Sequence, residues 1–159
     1  MAHTHAHSRA NKSCSSKEPD EFLAEAETLV REKGQKLTPI RRKVLQLLLE
    51  SEEPAKAYDL LANLDGLGAA KPPTIYRALE FLQGVGLAHK IESLNAYVAC
   101  GHPDHPHSAV FLICDACGGA QELHADATNR ILTNEAKSTG FLVENTVIEA
   151  RGLCRNCHA

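Results

Sequence analysis

Two Cys-x-x-Cys pairs, Cys114/Cys117 and Cys154/Cys157, constrain this 159-residue chain more than any other feature. Matched thiolates suit Zn2+, a borderline-soft ion that accepts tetrahedral sulfur ligation. Four thiolates fill that tetrahedron and leave no open position, so the pattern predicts a structural zinc rather than a catalytic one. The 36 residues between the pairs exceed the ~15–20 of common zinc ribbons, so intervening helix and strand must bring the pairs together. Gly118 and Gly119 follow the first pair and free the backbone amides to turn toward the sulfurs, softening a net negative shell. No apolar run approaches the roughly 20 residues that span a bilayer, and the opening MAHTHAHSRANKS lacks the apolar core of a secretory signal. The chain therefore reads as cytosolic. Thiols stay reduced there, which directs paired cysteines to metal or redox chemistry rather than disulfides. A redox pair with incidental cysteines is the competing reading; two matched pairs favour zinc.

A second donor-rich stretch precedes the first pair. HKIESLNAYVACGHPDHPHSAVFLIC supplies His89, Cys100, His102, His105 and His107, and Glu122 and His124 follow. Imidazole, thiolate and carboxylate together suit zinc over magnesium or calcium. Residue type alone leaves the choice among these histidines open. Cys14 stands apart in the tail and receives no role.

Residues 1–17 are polar, with His3, His5 and His7 alternating before a Ser-rich stretch, and read as a disordered tail. Helical periodicity follows at 20–33, where Phe22, Ala26, Leu29 and Val30 share a face and Gly34 ends the run. In LTPIRRKVLQLLLES, Thr38 is placed to cap and Pro39 to occupy the first helical position. Ile40, Val44, Leu47 and Leu48 form its buried stripe, and Arg41, Arg42 and Lys43 cluster in its first turns. A third helix is expected near 56–64. A fourth, TIYRALEFLQGVG, turns Ile75, Ala78, Leu79 and Leu82 inward and Tyr76 and Arg77 outward. Segments 87–92 and 96–100, joined by Ser93-Leu94-Asn95, make a hairpin. Helices followed by such a hairpin form a winged helix-turn-helix order with the hairpin as wing. An exposed Tyr-Arg pair at the start of a helix can reach base edges or phosphates.

Net charge is −3, which by itself argues against nucleic acid. Residues 1–90 carry 13 Lys and Arg against 12 Asp and Glu, whereas residues 91–159 carry 4 against 8. The acid belongs to the cysteine-rich half, and the first half can still present a basic surface. That second half reads as strands at 109–114 and 119–124, a helix at 125–140 and a long strand at 141–152, a β-β-α-β order for a small α/β unit. The expected fold class is α/β (α+β): tail 1–17, winged-helix domain 18–99 and zinc-stabilised domain 100–159.

The segments LTPIRRKVLQLL, PPTIYRALEFLQGVGLAHKIES and FLICDACGGAQEL resemble the ferric-uptake regulator (Fur) family of metal-dependent repressors over about residues 20–159. AHKIESLNAYVAC and the ending NTVIEARGLCRNC are most similar to its zinc-uptake branch. The resemblance implies a homodimer, with DNA-binding N-terminal domains, C-terminal dimerisation domains and an A·T-rich palindromic operator. It implies a structural Zn2+ at Cys114, Cys117, Cys154 and Cys157, and a regulatory Zn2+ at His89, Cys100, His107 and Glu122. Tyr76 and Arg77 match the DNA-contacting pair and Tyr58 a further contact; Arg41 and Arg42 join them from their cluster on the second helix. His102, His105 and His124 are candidates for an additional metal position.

The function so implied is a zinc-responsive repressor of zinc-uptake genes, with zinc as corepressor at the hinge between the halves. It is no enzyme and has no membrane or small organic substrate as partner. An iron- or peroxide-responsive repressor is the rival within the family, disfavoured by Cys100. A zinc hydrolase is the rival from another class, disfavoured by closed ligand shells. A zinc-stabilised interaction module would leave the winged helix unexplained.

Overall fold

A computed structural model describes residues 18–64, 71–101, 109–123, 126–144 and 146–158. Four helices come first: α1 (Pro19–Glu32), α2 (Pro39–Glu50), α3 (Ala57–Ala62) and α4 (Pro72–Gly84). Proline at the first helical position starts α1, α2 and α4, where a missing N–H leaves no bond unmade. Thr38 holds the N-cap position of α2 in extended geometry, but its side chain makes no capping hydrogen bond. Gly34 ends α1 as expected. Its φ of 70° allows its own amide to reach Arg31 O and that of Gln35 to reach Val30 O. On α4 the buried side chains are Ile75, Ala78, Leu79 and Leu82, the stripe read from sequence. On α1 the buried set gains Leu23, and on α2 it gains Leu45. There Ile40 and Leu47 pack only at the margin of the core.

The wing is β1 (Ala88–Ile91) paired antiparallel with β2 (Ala96–Ala99), joined by a 3-10 turn at Glu92–Leu94. Asn95 closes the turn at φ 47°, a left-handed conformation that Asn tolerates. Ala55 bridges to Tyr97 through both backbone groups and anchors the hairpin to the helices. Opposed residues share a face of the ladder. One face therefore carries Ala88, Lys90, Tyr97 and Ala99, and the other His89, Ile91, Ala96 and Val98.

The second half has β3 (Ala109–Cys114) central in a sheet ordered β4-β3-β5, with β4 (Ala120–Leu123) antiparallel to it and β5 (Val147–Gly152) parallel. Helix α5 (Asp126–Ser138) makes the crossover to β5. The last strand is shorter than the 141–152 read from sequence. Val147 pairs with Ala109, the first residue of β3, so earlier residues have no partner on β3.

Two apolar cores result. The helices, Ala88, Tyr97 and Ala99 form the first. Ile91 and Val98 join Ala109, Phe111, Ile113 and Ala120 in the second. The hairpin thus lies between the halves and contributes one face to each. Burying a large apolar side chain is worth about 1.5–3 kcal/mol, so Ile91 and Phe111 alone make this seam a substantial contact.

Candidate metal centres

Cys114 is the last residue of β3, and its register partner is Gly152, the last residue of β5. The two Cys-x-x-Cys turns therefore leave the same end of a parallel strand pair. That juxtaposition is what the long sequence gap required. Each pair is wound by backbone bonds: Gly118 N–H to Cys114 O at 2.9 Å, and Cys157 N–H to Cys154 O at 2.8 Å. Gly118 has a φ of 73°, a left-handed conformation that favours glycine. Asp115 N–H donates to Gly152 O at 2.8 Å, and Arg151 pairs with Asp115 at 2.6 Å, closing the strand ends around the thiols.

The four sulfurs lie within 4.8 Å of one another. Cys117 Sγ and Cys154 Sγ are 3.9 Å apart. A Zn–S bond of about 2.3 Å in a tetrahedron sets sulfurs roughly 3.8 Å apart, a spacing the Cys117–Cys154 pair already has, so the donor set suits zinc. None of the five described cysteines forms a disulfide. The Cys154 N–H reaches Cys114 Sγ at 3.3 Å. Together with the amide at Cys117 it pulls the Cys114 thiol down to about 6. Hydrogen bonding with Cys154 and burial push Cys157 up to about 12. One thiolate is thus ready at neutral pH, and metal binding must displace further protons.

The second cluster lies at the seam. His89 on β1, Cys100 just after β2 and Glu122 on β4 place one donor atom each within 4.8 Å of the others. The hairpin ladder runs past β2, with Cys100 N–H donating to Leu87 O at 3.0 Å, which holds Cys100 beside His89. Glu122 Oε1 is 3.5 Å from His89 Nε2, and Oε2 accepts from Gly101 N–H at 3.3 Å. The His89 ring packs edge-on against Phe111, with centroids 5.8 Å apart. Cys100 is fully buried, and His89 and Glu122 are largely so. A nitrogen, a sulfur and a carboxylate oxygen converging in a closed space suit a transition metal such as zinc. His107, the expected fourth ligand, lies outside the described residues, as do His102, His105 and His124, the tail histidines and Cys14.

Tyr58 on α3 and Tyr76 and Arg77 on α4 are exposed, as the sequence pattern expects. Arg42 pairs with Glu27 at 2.9 Å. Arg41 lays its guanidinium 3.5 Å over the Phe81 ring and donates to Lys36 O at 2.8 Å. Both arginines make contacts within the fold and stay partly exposed.

Fold and site together define a winged-helix protein with a four-thiol knot in its sheet half and a mixed His/Cys/Glu donor set where the halves meet. The chain belongs to the ferric uptake regulator family, whose profile matches residues 32–151. It is 43% identical over 139 residues to the zinc uptake regulation protein of Escherichia coli (strain K12), covering 86% of this chain and 81% of that protein. Among solved structures, it matches a zinc uptake regulator complexed with zinc and DNA with a TM-score of 0.84 and 41% identity, covering 89% of this chain and 95% of that one. It matches the crystal structure of holo XcZur with a TM-score of 0.80 and 43% identity, covering 86% and 96% respectively.

Proposed function

We propose that this protein is a zinc-responsive, DNA-binding repressor of zinc-uptake genes, working as a cytoplasmic homodimer and not as an enzyme. The observation that carries the proposal is the seam cluster. His89 and Cys100 belong to the wing, Glu122 belongs to the sheet half, and their donors already converge. His107, from the segment just ahead of β3, is the fourth ligand in this proposal. A bound Zn2+ supplies the positive charge that lets a deprotonated Cys100, an imidazole and a carboxylate share one point. His89 and Cys100 hold the wing against β4 when so engaged, and Phe111 seals that contact from water. Four protein ligands leave no position for a substrate, which favours regulation over hydrolysis. The relatives described as zinc uptake regulators support the same choice of metal, and the thiol in the seam favours zinc over iron.

The four cysteines serve a different end: they hold the β3 and β5 ends together as a structural zinc site. The sheet half also leaves α5 with no buried side chain and exposes Ile131, Phe141 and Leu142. A second copy of the chain is the occupant this face suits, since an apolar helix face needs a partner. In such a dimer, Tyr58, Tyr76 and Arg77 form the DNA-facing surface. Two α4 helices must then sit about 34 Å apart to enter successive major grooves. One unit of charge at the seam is screened over ~8–10 Å at physiological salt. Wing closure, rather than electrostatic attraction, is therefore the signal, a population shift toward the DNA-competent arrangement.

Metal analysis paired with a DNA-binding titration under buffered free zinc tests this, using an A·T-rich palindromic duplex selected by the zinc-loaded protein. Two zincs per chain are expected, with DNA binding following the second and weaker responses to iron and manganese. DNA binding that follows iron, or that ignores the second zinc, would refute it.

A further inference from the structure

One carboxylate at the seam belongs to neither donor cluster. Phe111 on β3 stands opposite Glu122 on β4 and Glu149 on β5. The three form a row on one face of the sheet, since opposed residues share a face. Each meets the wing. Glu122 reaches the His89 and Gly101 end of the hairpin, and Phe111 packs on the His89 ring. Glu149 takes the other end: its Oε1 accepts from the Glu92 N–H at 2.6 Å, and its Oε2 from the Ser93 N–H at 3.2 Å. These amides open the 3-10 turn that joins β1 to β2, where no bond within the turn can satisfy them.

We infer that Glu149 is a metal-independent latch that holds the wing tip to the sheet half and so sets how much zinc is needed to close the molecule. This inference rests on the zinc-responsive reading above. Its physical basis is leverage. The donors hold the wing at its His89 and Cys100 end, and Ile91, Val98 and Leu94 pack it non-directionally on the second core; Glu149 adds a directional polar attachment at the hairpin's far end that fixes its orientation. The Glu149 contact needs no metal, because its partners are the Glu92 amide and the amide and side chain of Ser93, none of which belongs to the donor set. Burial pushes the Glu149 carboxyl up, but the hydrogen bonds from Ser93 and from the Glu92 amide, with Arg151 nearby, leave it below its ordinary value. It is therefore ionised at neutral pH, and hydrogen bonds to a charged group are the stronger kind. The latch biases the open-closed equilibrium before zinc arrives, and zinc then needs to supply only the remainder.

Two measurements on the full-length dimer test this. The first is hydrogen exchange of the Glu92 and Ser93 amides in protein that keeps its structural zinc but has the seam metal removed by a buffered chelator. Wild type should protect them, and Glu149→Ala should not; absence of protection in the wild type would overturn the latch whatever the protein regulates. The second is the free-zinc midpoint for DNA binding. Glu149→Ala should raise it roughly fivefold, since solvent exposure brings a charged hydrogen bond below its usual range. Glu149→Gln, which keeps one acceptor oxygen, should fall between. At saturating zinc, DNA affinity should match wild type, and the melting temperature should fall by only a few degrees. An unmoved midpoint, or a loss of DNA affinity at saturating zinc with no midpoint shift, would overturn the role. A wild type whose DNA binding does not depend on zinc would instead refute the regulatory reading and leave the exchange result standing.

Discussion

The two thiol-containing clusters differ in donor type, and they differ more in what the donors connect. Cys114, Cys117, Cys154 and Cys157 all come from the ends of β3 and β5 within one half. Metal there can only make that half more rigid. His89, Cys100 and Glu122 come from two halves that share little besides one hairpin. Metal there would tie the two halves together, which is the proposed switch. On the proposed reading, connectivity as well as donor type separates the structural site from the regulatory one. The knot is made by residues the backbone already holds together, and the seam cluster is made by residues that part if the wing opens.

The largest expected effect is on the knot. Cys114→Ser should lose one zinc per chain by metal analysis and lower the melting temperature sharply, because structural zinc supplies apparent binding free energies of about 10–16 kcal/mol to small domains. DNA binding should fall with it, as a consequence of unfolding. An unchanged melting curve and zinc content would erase the distinction between the clusters from the structural side.

A smaller effect sharpens the distinction from the other side. Coupling between sites is reciprocal. If zinc at the seam tightens DNA binding by some factor, saturating DNA must tighten seam zinc by the same factor, typically 5–150-fold. The knot zinc, closed within one half, should be indifferent to DNA. Competition with a chelator of known affinity, with and without DNA, reads both. Equal tightening of the two zincs would mean that the knot also takes part in the switch.

Much of this arrangement was legible in the sequence, and the limits are physical. The α4 stripe of Ile75, Ala78, Leu79 and Leu82 was readable because helical periodicity maps directly onto burial. The knot was readable because ligand spacing within each pair is local. The seam ligands needed the family resemblance, because nothing in the spacing of His89, Cys100 and Glu122 says that β4 passes beside the wing. The contacts of Arg41 with Phe81 and of Arg42 with Glu27 were not legible, because charge clustering carries no information about partners distant in sequence. The overlong last strand came from reading β character at 141–146 without knowing where β3 begins. Glu149 was invisible for a similar reason: its contacts lie 56 and 57 residues away. The one signal available, its place in the alternation of β5, acquires meaning only once the wing is known to lie across that face.

The most direct test of the central claim, that the seam couples metal to DNA while the knot does not, is Cys100→Ser in a DNA-binding titration under buffered zinc, with melting temperature measured on the same samples. The variant should retain one zinc per chain and a near-wild-type melting curve while losing zinc-dependent DNA binding. Zinc-dependent DNA binding that survives the substitution would contradict it.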